Sequence, residues 1–223
     1  DIFKVNECIL LNKETEKDDG NKTQSAPWVP YAVQELKTYG GIRQTQSPLK
    51  EKVVKYFKVS KADWYDHTGY WCGAFIRWCF AQTKDYNYVF DSYNSVTAFN
   101  WLASNHNTTK GKENLRTNDV EAIQALNDVF VGAIIVFDFS HVAFVVGQTK
   151  DGNSLIYVGG NQSDKAPGDG LGKRTVAIGK VDKSKFNKNF WISKPKKYTP
   201  TQEERNLPKM DVSAQELDKN TSR

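Results

Sequence analysis

The sequence predicts an α+β domain in which N-terminal helices pack on an antiparallel β-sheet. Three observations indicate this fold: helical apolar stripes fill the first half of the chain, short β-branched runs fill the second half, and the two kinds of segment do not alternate. With 223 residues, 39% of them hydrophobic, the chain is long enough to bury a sizeable core. No apolar run approaches the ~18 residues of a membrane-spanning helix, so we expect a soluble protein without a membrane span.

Four segments have the signals of helices. The first begins with prolines and ends at Gly40 and Gly41, which are typical boundary residues. The third and fourth precede the region where β-branched residues take over. The predicted helical segments are 27–41, 47–57, 72–82 and about 94–103.

The second half of the chain contains five short runs that predict strands: 131–137, 141–147, 154–158, 175–179 and 189–193. Both ends of the chain are polar and contain few large apolar side chains. We therefore predict an N-terminal arm at 1–26, a folded domain at 27–194 and a polar C-terminal tail at 195–223.

The net charge and the first residues of the chain say little about function. The net charge is +5, and six lysines lie within 183–197, which indicates either a solvated face or attraction to a polyanion such as a cell envelope. The first residues, "DIFKVNECILLN", lack the basic start and long apolar centre of a signal peptide. Neither feature identifies a function alone.

The stretch "GYWCGAFIRWCF" at 69–80 carries two of the three cysteines, Cys72 and Cys79. On a helix they would be about 10.5 Å apart along the axis, too far for a disulfide, whose Cα atoms lie within about 7 Å. Metal binding is disfavoured because the histidines do not form a close pair. Each cysteine is then either a core residue or a nucleophile, and the apolar surroundings of Cys79 favour the core.

Cys72 lies where a polar turn gives way to the helix. The positive end of the helix dipole and the first backbone N–H groups stabilise a thiolate there, and could also bind an oxyanion. Small neighbours, Gly73 and Ala74, would let a substrate carbonyl approach. A nucleophilic cysteine further requires a base and a group that orients the base.

His141 is the best candidate base, because it begins an apolar strand and could stand at the sheet edge facing Cys72. His67 is close in sequence but lies in a loop, and His106, in "SNHNTT", is predicted to be solvent-exposed. A hydrogen-bonded core histidine remains the alternative for His141.

Asn161, at the end of the run "YVGGNQSD", is the candidate orienting group, since a neighbouring antiparallel strand would bring its amide alongside His141. An ordinary turn residue is the alternative reading of Asn161. Asp138 and Asp164 are rival orienting residues.

Together the segments "PWVPYAVQELKTYGG", "WCGAFIRWCF", "GAIIVFDFSHVAFVVG" and "YVGGNQSD" resemble the NlpC/P60 and CHAP superfamily of papain-like cysteine peptidases. The match is to its CHAP-like subgroup with Trp-Cys and Gly-Gly-Asn-Gln motifs. The resemblance implies a papain-like core that cleaves amide bonds of peptidoglycan, with Cys72 as nucleophile, His141 as base and Asn161 as third member. Many CHAP enzymes carry Glu two residues before that Asn, where this chain has Gly159.

The mechanism requires neither a metal nor an organic cofactor. Aromatic residues before and beside Cys72, namely Trp64, Tyr70 and Trp71, are predicted to line a groove for a sugar-peptide, with core packing as the alternative. Nucleic acid is not an expected partner.

The biological role stays open between an autolysin, a phage lysin and a secreted antibacterial toxin. A toxin would act in the periplasm or cell wall and would have an immunity protein as partner. Two other functions compete: a cysteine protease or deamidase of the same fold acting on a protein, and a non-catalytic wall-binding module.

Overall fold

Three helices form the N-terminal layer of the protein, for which a computed structural model describes residues 25–163, 174–211 and 215–216. Helix α1 (Val29–Tyr39) has Pro30 in its first turn and ends before Gly40, and helix α2 (Leu49–Val59) buries one apolar stripe. Helix α3 (Cys72–Ala81) is buried along nearly its whole circumference. Its apolar composition follows from this position, because α3 lies between α2 and the sheet.

The strands are β1 (Val120–Ile123), β2 (Ile134–Phe137), β3 (His141–Thr149), β4 (Ser154–Gln162), β5 (Thr175–Asp182), β6 (Phe190–Pro195), β7 (Lys209–Met210) and β8 (Gln215–Glu216). They form one sheet in the order β1-β6-β2-β3-β4-β5-β8, with β7 beside β3. Neighbouring strands are antiparallel except for two short parallel pairs, β3 with β7 and β5 with β8. The prediction of an α+β fold, with helices on a mainly antiparallel sheet, is confirmed.

Helix α3 packs on β3 and β4, at the centre of the sheet. Phe144 of β3 pairs with Val158 of β4, and this register brings the first residues of β3 near the last residues of β4. The β4–β5 pairing shifts between Gly159 and Gln162. Such a bulge re-aims the side chains that follow it, so the end of β4 departs from simple strand alternation.

The predicted fourth helix at 94–103 is wrong. Two short 3₁₀ helices, Tyr93–Val96 and Ala98–Trp101, occupy this region instead. Thr97 between them is extended, at φ −90° and ψ 120°, which interrupts any continuous helix. The side-chain amide of Asn100 donates to the Asn94 carbonyl oxygen at 2.9 Å and fixes the two turns against each other.

The predicted tail begins too early at residue 195. Tyr198 and Met210 are 7% and 3% exposed, and the Tyr198 ring lies 4.8 Å from that of Trp28. A short helix α4 (Gln202–Arg205) between them has a capping box formed by Thr201 and Glu204. A few well-spaced apolar residues therefore attach a polar segment to the core. Within residues 25–163 and 174–211, no helix has the length and hydropathy that a membrane crossing requires.

Candidate active site

A cleft of about 240 Å³ opens where the start of α3 meets the end of β4. The loop before α3 contributes Tyr65 and Tyr70, and the first residue of α3 is Cys72. The segment 93–101 that contains the two 3₁₀ helices, here called the 3₁₀ segment, forms another wall. Ser140, just before β3, and Asn161, near the end of β4, complete the lining. The cleft is thus lined by the predicted nucleophile, Cys72, and by Ser140, which directly precedes the predicted base His141.

Cys72 is the first residue of α3, with Trp71 as the N-cap, and its side chain lines the cleft although the residue is only 3% exposed. A thiolate at this position is stabilised by the positive end of the helix dipole. Gly73 does not serve to open the site. A Cβ there would lie 2.3 Å from the carbonyl oxygen of Ser95, so this glycine allows the 3₁₀ segment to pack tightly against α3.

His141 lies fully buried at the first position of β3. Its Nε2 is 2.9 Å from Oε1 of Gln162, and within the described residues its Nδ1 has no hydrogen-bond partner. The side-chain nitrogen of Gln162 donates to the Ala177 carbonyl oxygen at 2.8 Å, which fixes the orientation of the amide. Since Oε1 can only accept, Nε2 of the neutral His141 carries the proton and Nδ1 keeps a basic lone pair.

Burial lowers the pKa of His141 to about 4. The hydrogen bond that Nε2 donates to Gln162 raises the pKa, and the positive charge of Arg174 lowers it further. The ring lies beside a stacked pair of aromatic rings, with centroid distances of 5.8 Å to Phe137 and 6.2 Å to Phe139. At neutral pH His141 is therefore a neutral imidazole that is able to accept a proton.

Gly159 leaves the space that the Gln162 side chain occupies. A Cβ at Gly159 would lie 2.3 Å from Oε1 of Gln162 and 3.1 Å from the Cβ of Ala143. A side chain at position 159 and the Gln162–His141 hydrogen bond exclude each other in this geometry.

Asn161 does not make the predicted hydrogen bond to His141. It adopts the left-handed conformation, φ 59°, at the bulge in β4, and its side chain lines the cleft instead. The next residue, Gln162, orients His141. Of the rival orienting residues, Asp138 accepts a hydrogen bond from the Asn189 side chain at 2.8 Å, and Asp164 lies outside the described residues.

The three predicted substrate-binding aromatic residues separate into two groups. Trp64 and Tyr70 are 66% and 56% exposed, and Tyr70 lines the cleft. Trp71, in contrast, is fully buried, stacks on Tyr56 at 5.7 Å and donates from Nε1 to Oε1 of Gln44 at 3.3 Å. Its assignment to substrate binding is wrong, because as the N-cap of α3 it points into the core.

An exposed aromatic platform continues from the cleft. Trp64 lies 5.9 Å from both Tyr65 and Tyr93, and Tyr65 lines the cleft and stacks on Phe57 at 5.0 Å. The sequence reasoning missed Tyr93, which joins the platform from the start of the 3₁₀ segment. It also missed Gln162, although this residue belongs to the quoted Gly-Gly-Asn-Gln run.

The remaining cysteines and histidines lie elsewhere. Cys79 is fully buried, as predicted, and burial raises the pKa of its thiol well above the usual value. The prediction of an exposed His106 is wrong: the residue is 5% exposed, and its Nε2 is 3.1 Å from the Ser193 hydroxyl. The carbonyl oxygen of half-buried His67 accepts a hydrogen bond from Gln44. Cys8 lies outside the described residues.

In the described part of the chain, no three or more His, Cys, Asp or Glu residues form a group that could hold a metal ion. Comparisons with protein-family models, with curated protein sequences and with solved structures found no match.

Proposed function

We propose that the protein is a cysteine peptidase or amidase with a papain-like core, which hydrolyses an amide bond in the peptide part of peptidoglycan. One observation carries the proposal. His141 is held in the Nε2–H form by Gln162, and its Nδ1 has no hydrogen-bond partner among the described residues. It directly follows Ser140, which lines the cleft where Cys72 begins a helix. Nucleophile, base and orienting group are the three parts that this chemistry needs.

In the acylation step, Sγ of Cys72 attacks the amide carbonyl carbon while Nδ1 of His141 takes the thiol proton. The tetrahedral intermediate then collapses, the C–N bond breaks, and His141 returns the proton to the leaving amine. The product is an acyl thioester on Cys72. Gln162 holds the imidazole throughout and stabilises its protonated form by accepting the Nε2 hydrogen.

Deacylation uses the same groups in reverse. A water molecule takes the place of the amine, and His141 accepts its proton as the oxygen attacks the thioester carbonyl carbon. Breakage of the C–S bond releases a carboxylic acid, and the thiol of Cys72 recovers its proton. The chain's own side chains therefore account for both steps.

Two features support a wall substrate rather than an arbitrary amide. The exposed rings of Trp64, Tyr65 and Tyr93 continue the cleft as a surface on which sugar rings can stack, since pyranose C–H groups pack on aromatic faces. A net charge of +5 favours association with an anionic envelope. Action on this substrate would take place in the cell wall or periplasm.

The test is incubation of the purified protein with isolated Gram-negative and Gram-positive peptidoglycan, followed by mass analysis of the soluble products. We expect new muropeptides or shortened stems, and their masses identify the bond that is cut. Intact muropeptides from both walls, together with turnover of a protein substrate by the same preparation, would replace the proposal by a protein-directed hydrolase.

A further inference from the structure

The side chain of Asn161 is a buried donor without an assigned task. The residue is 2% exposed and lines the cleft with Cys72, and within the described residues its Nδ2 has no hydrogen-bond partner. Buried amide nitrogens are nearly always paired, because an unmade hydrogen bond in the interior costs free energy. An unpaired N–H group buried in the wall of a cleft therefore gains free energy when a ligand there supplies an acceptor.

The backbone of Asn161 is also held in an uncommon conformation. Its φ of 59° lies in the left-handed region, which Asn tolerates better than most residues with a side chain. The bulge between Gly159 and Gln162 imposes this conformation and sends two consecutive side chains to different tasks. Gln162 turns to His141, and Asn161 turns to the cleft. Strain of this kind occurs often at functional sites.

We propose that Nδ2 of Asn161 donates a hydrogen bond to the oxyanion that forms when Cys72 attacks a carbonyl group. This inference rests on the proposed function and assigns Asn161 a catalytic role different from that of orienting His141. The amide is neutral and presents N–H groups, as an oxyanion requires. The nearby start of α3 contributes its positive dipole end to the same region.

The chemistry of the step explains why such a donor is useful. As the bond between Sγ and the carbonyl carbon forms, the π electron pair of the C=O bond moves to oxygen, which becomes negative and accepts the hydrogen bond. When the intermediate collapses, that pair re-forms the C=O bond and the amine leaves with the proton from His141. The donor therefore binds the transition state more tightly than the ground state.

Two reactions of Cys72 separate this role from orientation of the base. Acylation by p-nitrophenyl acetate passes through a tetrahedral oxyanion, whereas alkylation by iodoacetamide displaces iodide at a saturated carbon and forms no oxyanion. Neither reagent depends on the natural substrate. Asn161 should matter for the first reaction alone, and Gln162 should matter for both because it holds the base.

The variants are chosen to keep the backbone unstrained. Asn161→Gly removes the amide and adopts a positive φ without cost, and Asn161→Asp keeps the shape but replaces the N–H donor by a carboxylate. Both variants should slow acylation of Cys72 by roughly 10²-fold, the usual effect of removing one oxyanion donor. Alkylation should stay within about twofold of wild type, since no oxyanion forms. Gln162→Ala, the matched neighbour, should slow both reactions.

Equal slowing of both reactions in Asn161→Gly would overturn the proposal and make Asn161 a structural or orienting residue. Unchanged acylation would also overturn it, as would a wild-type protein that is alkylated at Cys72 but not acylated. Muropeptide release, measured separately, decides the proposed wall substrate. Failure of the substrate proposal and failure of the oxyanion assignment therefore give different results.

Discussion

Oε1 of Gln162 lies 2.9 Å from Nε2 of His141, and the nitrogen of the same side-chain amide lies 2.8 Å from the Ala177 carbonyl oxygen. The first contact fixes which imidazole nitrogen carries the proton, and the second prevents the amide from turning over. A rigid strand pair, β4 with β5, thus holds the histidine in the form that leaves Nδ1 basic.

Gln162→Ala should lower kcat/KM by roughly 10²-fold, because the imidazole loses its fixed orientation and tautomer.

In the wild type, activity should fall as the pH falls through about 4, the pKa of His141, since the protonated base cannot accept a proton. Gln162→Glu places a carboxylate beside the ring and raises that pKa, so this acid limb should move to higher pH. The pH profile of kcat/KM measures both effects, and identical profiles in wild type and Gln162→Glu would contradict the assignment.

Gly159→Ala should lower kcat/KM by roughly 10²-fold without unfolding the protein. The new Cβ would occupy space 2.3 Å from Oε1 of Gln162 and displace this side chain from His141. Activity should fall about as far as in Gln162→Ala, and circular dichroism should report an intact fold.

The double variant Gly159→Ala/Gln162→Ala provides the control for this clash. Once the Gln162 side chain is absent, the alanine at position 159 has little left to displace, so the two effects should be strongly non-additive. Additive losses in kcat would show that Gly159 acts on something other than Gln162.

Cys72 should react with a thiol probe at neutral pH at least about tenfold faster than Cys79, since the former lines the cleft at a helix start. Cys79 is fully buried, and burial raises the pKa of its thiol well above the ordinary value. Peptide mapping by mass spectrometry after brief labelling of the native protein separates the sites. Faster labelling of Cys79 would exclude Cys72 as the activated thiol.

Trp64→Ala should weaken substrate binding, whereas Trp71→Ala should lower the stability of the fold. Trp64 is 66% exposed, so its loss should raise KM for peptidoglycan while the melting temperature stays nearly unchanged. Trp71 is fully buried against Tyr56 and Gly160, so its truncation should lower the unfolding free energy by about 3–5 kcal/mol. Kinetics and denaturant unfolding of both variants provide the comparison. A stable Trp71→Ala protein that is defective only in binding would reverse the two assignments.

Long apolar patterns predicted the helices and the central strands well, because burial on a helix stripe or a sheet face leaves a periodic signal. Segments that are held by few contacts leave no periodic signal in the sequence. The strand Val120–Ile123 was therefore missed, and 195–211 was predicted to be a tail although Tyr198 and Met210 are buried. The two 3₁₀ turns at 93–101 depend on side-chain hydrogen bonds that periodicity does not report.

At the site, the sequence predicted Cys72 and His141 from their places at the starts of a helix and a strand. Gln162 could not be predicted in the same way. Strand alternation assigns opposite directions to Asn161 and Gln162, but which of the two faces His141 depends on a register shift after Gly159. That shift depends on the pairing with β5 and on the close contact at Gly159, neither of which a local pattern contains.

The central claim, that Cys72 is the nucleophile of a wall-peptide hydrolase, is tested most directly by peptidoglycan digestion with a matched pair of cysteine variants. Cys72→Ala should release no muropeptides, whereas Cys79→Ala, which removes the buried thiol on the same helix, should retain activity. Circular dichroism and the melting temperature must show that both variants are folded. Product release by folded Cys72→Ala at the wild-type rate would contradict the account.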